Sequence, residues 1–235
     1  MSLETKALLF DVFGTVVDWR TSVLAELQAF FGARGVERDW GRFALDWRAL
    51  YQPAMEAVRS GARDYSNLDV LHRENLLTLL RRYDLPALDA AEVWHLTTAW
   101  HRLAPWPDSA PGLARLRESR IVASLSNGNI ALMVNLSRHG GLVWDTILGA
   151  EIARAYKPDP RVYLRAAEAL GLAPDQCMMV AAHNDDLRAA RALGMGTAFV
   201  LRASEYGPGQ TTDLGAEEAW DIVTDSLTGV ADALD

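Results

Sequence analysis

Short apolar runs bounded by polar or turn-forming residues recur along this chain: Ala7–Phe10, Ile121–Leu125, Met178–Ala182 and Thr197–Leu201, with a weaker run at Thr146–Gly149. Such runs predict buried strands. Between the later ones the apolar positions take a helical spacing, over Ala131–His139, Pro160–Leu170 and Leu187–Leu193. Strands alternating with helices predict right-handed βαβ units and a parallel sheet. The segment from Trp19 to Ala104 differs. It carries no strand pattern and predicts amphipathic helices over Ser22–Phe31, Trp40–Arg59, Leu68–Tyr83 and Ala90–Arg102, punctuated by Gly32, Gly35, Gly61 and Pro86. Pro105-Trp106-Pro107-Asp108-Ser109 cannot continue a helix and marks the return to the alternating pattern. The expected organisation is an α/β core of residues 1–18 and 105–235, interrupted after its first strand by an all-helical insert of residues 19–104.

Half of the 235 residues are hydrophobic and 23% are charged, enough apolar mass for a real core. The net charge of −8 argues against nucleic acid or an anionic membrane as partner. A small anionic substrate is not excluded, because local Arg and Lys decide that. Cys177 is the single cysteine, so no internal disulfide forms, and its apolar surroundings predict a buried thiol. Met1–Lys6 precede only four apolar residues before Asp11, and no apolar stretch approaches the ~18 residues of a membrane span. No signal peptide or membrane partner is expected, and the location expected is cytoplasmic.

The chemistry-bearing residues fall where the predicted strands end. Asp11 closes the first run and is followed by Gly14-Thr15; Ser126-Asn127-Gly128-Asn129 follows the second. Lys157-Pro158 precedes a helix, and His183-Asn184-Asp185-Asp186 follows the third run. Ligands of open α/β sheets bind in the crevice outside the carboxyl ends of the strands. Taken singly, each of these has a bland reading: Asp11 as a turn cap, Lys157 as a solvated loop lysine, Asp185 and Asp186 as helix caps. Together and in order they supply a carboxylate nucleophile, hydroxyl and amide donors, a cation and further acids.

With these four ordered motifs the chain resembles the haloacid dehalogenase superfamily over essentially its whole length, and within it the 2-haloacid dehalogenases. The resemblance implies a Rossmann-like parallel core with a helical cap. Phosphatases of that superfamily carry a second Asp two residues after the first and typically read G-D-x-x-x-D in the fourth motif. Here Phe13 and Ala182 stand at those places. Neither offers an oxygen to Mg²⁺ or a proton to a leaving group, so no metal and no cofactor is expected.

The implied reaction is hydrolytic dehalogenation of short (S)-2-haloacids to (R)-2-hydroxyacids through an ester on Asp11, fluoroacetate included as a candidate substrate. By the same resemblance Lys157 keeps Asp11 ionised, Thr15 holds it, Asp186 fixes Lys157 and helps position water, and Ser126 and Asn127 meet the substrate carboxylate and the halide. The family's halide arginine, on a cap helix in a Trp-Arg context, points to Arg48 beside Trp47; Arg20 is its rival. Phe13 and Trp47 are expected to line the pocket. His183 replaces the family's Asn and Asp185 an aromatic found in some members, so a rebuilt halide cradle is expected, with both roles open. A homodimer is also implied. Two other functions compete: a small-molecule phosphatase that has kept this fold, and a non-catalytic small-acid binding protein.

Overall fold

The computed structural model describes residues 5–235; the expectation for the N-terminal segment falls partly on residues 1–4, outside the described residues. A six-stranded sheet forms the centre. Its strands are β1 (Ala7–Phe10), β4 (Ile121–Ser126), β5 (Thr146–Gly149), β6 (Cys177–Ala181), β7 (Gly196–Val200) and β8 (Ile222–Thr224). Their spatial order is β5-β4-β1-β6-β7-β8 and every pairing is parallel. The chain leaves β1 toward β4 and β5, then crosses back to build β6, β7 and β8 on the other side. The order therefore reverses at β1, which puts the crevice of an open α/β sheet at the end of β1.

Alternation along β1 sorts the core into two layers. Leu8 and Phe10 face one side, with Leu113 and Leu116 of α6 (Ser109–Leu116), Leu132 and Leu136 of α7 (Ile130–Gly140), and Leu227 and Val230 of α11 (Leu227–Leu234). Ala7 and Leu9 face the other, with Val162, Tyr163 and Ala166 of α9 (Pro160–Ala169) and Leu187 and Ala190 of α10 (Asn184–Arg191).

Between β1 and α6 lie α1 (Trp19–Gly32), α2 (Trp40–Ala49), α3 (Tyr51–Arg59), α4 (Leu68–Arg82), α5 (Ala90–Thr97) and a 3₁₀ turn, Thr98–His101. This helical segment enters and leaves through one short antiparallel ladder, β2 (Val17–Asp18) against β3 (Ala104–Pro105). Side chains tie it to the loops of the sheet. Arg59 donates to the carbonyl of Lys157 (3.0 Å), Tyr156 to that of Ser66 (2.6 Å), and the Asn129 amide to Asp69 (2.9 Å).

The expected helix Trp40–Arg59 is two helices, because Pro53 has no N–H for the Ala49 carbonyl and its ring crowds that position. Ala90–Arg102 is α-helical only to Thr97, where the Thr97 and Thr98 hydroxyls bond back to the Val93 and Trp94 carbonyls. α10 starts three residues before the expected Leu187, with Asp185 and Asp186 in its first turn. Among the described residues no helix is long and apolar enough to cross a membrane.

Candidate active site

The end of β1 places Asp11 at the floor of a cavity of about 600 Å³. The backbone then turns sharply through Gly14 at φ +87°. That turn brings Thr15 back onto the carboxylate: its hydroxyl donates to Asp11 Oδ2 (2.7 Å) and accepts from the Ala182 N–H at the end of β6 (2.8 Å). Lys157 reaches Asp11 Oδ1 at 2.9 Å and also bonds Asp186 Oδ2. Tyr163, in the first turns of α9, donates to the other Asp186 oxygen (2.5 Å). His183 meets Asp11 Oδ2 through Nδ1 (3.1 Å) and Glu205 through Nε2 (2.9 Å); the Trp19 indole N–H donates to the same glutamate (2.8 Å).

Ionisation follows from this wiring. Burial alone would push Asp11 up, but the charge of Lys157, then the hydrogen bond and charge of His183, outweigh it and hold Asp11 well below the usual carboxylate range. For Lys157 burial works downward and is overcome by Asp11 and Asp186, so the ammonium is retained more strongly than usual. Burial likewise opposes the charged form of His183, yet Glu205 and Asp11 raise it well above the ordinary imidazole range. Asp186 moves up, chiefly by burial and against the pull of Lys157, with Asp11 adding to the rise.

The cavity wall opposite Asp11 comes from the helical segment. Arg48 stacks 4.2 Å from the Tyr51 ring centroid, and its Nη1 is buried with no acceptor among the described residues. Phe13 lines the cavity and packs edge-on to Trp100 (5.9 Å) and Tyr51 (6.4 Å), deep in apolar surroundings. The Asn127 carbonyl accepts from the Lys157 N–H (2.8 Å), which leaves its amide NH₂ as the end available to a ligand. Together these groups present an ionised oxygen, an unpaired guanidinium donor and an apolar wall to a small anion.

The structure gathers Asp11, Phe13, Arg48, Asn127, Lys157, His183 and Asp186 around one cavity, with Thr15 directly behind Asp11. It does not bring three expected residues to the cavity wall. The Arg20 guanidinium packs on the Gly207 backbone, where a Cβ would fall 2.7 Å from its Cζ. Trp47 is fully buried behind the wall, donating to the His72 carbonyl (3.2 Å). Ser126 is fully buried and accepts from the Gly128 N–H (3.0 Å), shaping the turn that carries Asn127. Asp185 reaches the cavity rim but is exposed and ion-paired with Arg188 (2.5 Å), as a helix-start acid.

Residues 5–194 match the family model of haloacid dehalogenase-like hydrolases. The chain belongs to that family. A crystal structure of a defluorinating L-2-haloacid dehalogenase superposes with a TM-score of 0.96 at 47% identity, covering 98% of this chain and 95% of that one. A second L-2-haloacid dehalogenase superposes at 0.95, also 47% identical, with 98% of each chain covered. The (S)-2-haloacid dehalogenase of Pseudomonas sp. (strain YL) is 31% identical over 93% of this chain and 90% of that protein.

Within this haloacid dehalogenase-like frame, Glu205, Tyr163 and Tyr51 were not anticipated. Tyr163 was findable: it lies six residues past Lys157, on the same helix face as the buried Ala166 and Ala167. Glu205 sits in an irregular loop after β7 with no local pattern, and only the tertiary fold carries it beneath Gly14.

Proposed function

We propose that this protein hydrolyses short (S)-2-haloacids to (R)-2-hydroxyacids and halide, with Asp11 as nucleophile and no metal in the reaction. The observation that carries the reading is the ionised Asp11 carboxylate, held at both oxygens and facing a cavity whose far wall offers the unpaired Arg48 donor. A carboxylate so oriented and partly desolvated is a competent nucleophile. Asp11 displaces halide from the α-carbon with inversion, forming an ester. Water then attacks the Asp11 carbonyl carbon and releases the hydroxyacid. Fixing the two reactants supplies several kcal/mol of the barrier, up to roughly 7–11 in ideal cases.

Each residue then has a task. Lys157 keeps Asp11 ionised, Thr15 fixes its rotamer, and Asp186 and Tyr163 hold Lys157. Arg48 and Asn127 receive the halide and the substrate carboxylate. Phe13 keeps the wall apolar where a phosphatase of this fold needs an acid, and that substitution disfavours the phosphatase reading. Residues 19–104 act as a cap over the site. The 47% identity to a defluorinating relative extends the reading to fluoroacetate. A homodimer and a cytoplasmic location belong to the same reading; exposed Ile130, Val134 and Val143 around one shallow surface depression support a covered face, which sedimentation would test.

The decisive experiment measures halide release from L- and D-2-chloropropionate and fluoroacetate with EDTA present, for the native protein, Asp11→Asn and Asp11→Ala. The alanine variant controls for deamidation. Single-turnover hydrolysis in heavy-oxygen water should label Asp11 before product. Label appearing directly in product, or magnesium-dependent turnover of a phosphomonoester with no halide release, overturns the proposal.

A further inference from the structure

Hydrolysis of the Asp11 ester needs a group that takes a proton from water, and the obvious carboxylate is not free. Both Asp186 oxygens accept hydrogen bonds, one from Lys157 and one from Tyr163, and the side chain is almost wholly buried. His183 stands on the other side of Asp11. Its imidazole is one-fifth exposed and lines the cavity, with Nδ1 on Asp11 Oδ2 and Nε2 on Glu205. Glu205 is 1% exposed and is itself clamped by the Trp19 indole. A carboxylate that deep needs a charged partner, and Asp11–His183–Glu205 is a nucleophile–imidazole–acid array of the kind that activates acyl chemistry on unrelated folds.

We propose that His183, oriented by Glu205, is the general base that activates water against the Asp11 ester, and that esterification is what frees it to act. This rests on the dehalogenase reading and assigns its second half. In the resting enzyme the imidazole is a cation between two carboxylates, donating from both nitrogens. When Asp11 attacks, the C–O bond forms, the C–halogen bond breaks and the halide leaves with the electron pair. The carboxylate facing Nδ1 becomes a neutral ester, so the reason for the second proton disappears and Nδ1 releases it to solvent. That is the one proton the overall hydrolysis liberates. Nδ1 now faces the ester with a lone pair while Nε2–H stays on Glu205, which fixes the tautomer. Water adds to the Asp11 carbonyl carbon and gives one proton to Nδ1. The tetrahedral intermediate breaks its bond to the alkyl oxygen, and the departing alkoxide takes the remaining hydroxyl proton. Asp11 is again a carboxylate and His183 again a cation.

The charged groups around the ring agree with this cycle. Asp11 and Glu205 touch it; Lys157 and Asp186 act through Asp11, and Arg48 balances Glu205 from the helical segment. Asp185, its near neighbour in sequence, turns outward to Arg188. Gly14 belongs to the same device: a Cβ there would lie 2.2 Å from the Glu205 carboxyl carbon, so the turn after β1 is what admits the glutamate.

The test is pre-steady-state turnover of (S)-2-chloropropionate by the native protein, His183→Asn, His183→Gln and Glu205→Gln, followed by intact-protein mass spectrometry, chloride release and a pH indicator. In the native protein, formation of the ester should coincide with one proton released per site. His183→Asn and His183→Gln should still alkylate, giving a chloride burst, but hydrolyse about 10²–10³-fold more slowly, accumulate the ester and lose the early proton. Glu205, a positioning residue, should slow hydrolysis about tenfold as Gln while the burst persists. A native ester formed without proton release, hydrolysis at the native rate in the variants, or equal slowing of both halves overturns the assignment. Absence of any ester in the native protein defeats the dehalogenase reading instead.

Discussion

Replacing Tyr163 with Phe removes one hydroxyl and nothing else from a fully buried position. That hydroxyl is one of two donors to Asp186, whose folded pKa is already raised by burial. A carboxyl with a raised folded pKa costs stability at neutral pH, and the cost is relieved as pH falls through its folded value. Removing the donor deepens that cost. A hydrogen bond to a charged group contributes about 1.5–3 kcal/mol and a neutral one about 1 kcal/mol. Tyr163→Phe should therefore lose about 1.5–3 kcal/mol at pH 7, and the deficit should shrink toward about 1 kcal/mol once Asp186 is protonated. Urea unfolding of both proteins across pH measures this. A deficit below about 0.5 kcal/mol, or one that grows as pH falls, refutes the idea that Tyr163 steadies an ionised Asp186.

Arg48→Ala should lower kcat/KM for haloacid between about 10- and 150-fold, the worth of a hydrogen bond to an anion, whereas Arg20→Ala should change it little; the reverse ranking would exchange their roles. The chloride burst should keep its rate from neutral pH down to about pH 5, because Asp11 stays ionised below the usual carboxylate range of about 3.9; a midpoint at or above that value refutes the wiring. Stability follows by linkage. The Asp11 contribution is present above the unfolded carboxylate pKa and is lost as pH falls through its lowered folded value, whereas that of His183 is complete below about 6.5 and is lost as pH rises through its raised one. Denaturant titrations of Asp11→Asn and His183→Asn should show these opposite slopes. Gly14→Ala should cost roughly 2 kcal/mol or more through strain and collision with Glu205, and what folds should accumulate the ester; a well-folded, fully active variant counts against the proposed cradle.

The sheet was legible because five of its six strands coincide with short runs in which apolar residues predominate, and the first run meets Asp11 in both the pattern and the structure. β8 was not, since three residues in a polar stretch carry no period of two. α6 was hidden by Pro111 and Gly112 inside its own span, a composition that reads as loop. Motif order gathered most of the site, because strand ends in a parallel sheet share one edge. Trp47 and Arg48 show where this stops. Adjacent residues on a helix diverge by about 100°, and here Arg48 faces the cavity while Trp47 turns into the core. Glu205 reached the site by tertiary folding alone, and no local spacing announces it.

The β2–β3 ladder makes two distant chain crossings into a single joint. Everything from Trp19 to Leu103 hangs from one hydrogen-bonded pair of two-residue strands, placed immediately after the turn that fixes Thr15. Turns remote from that joint, such as those at Gly35 and Pro86, can therefore change length without moving the sheet edge where the reacting oxygen sits. Trp19, Arg48 and Arg59 have no such freedom, because they reach back to Glu205, the cavity and the Lys157 carbonyl, so what enters the cavity and what performs bond exchange are constrained together.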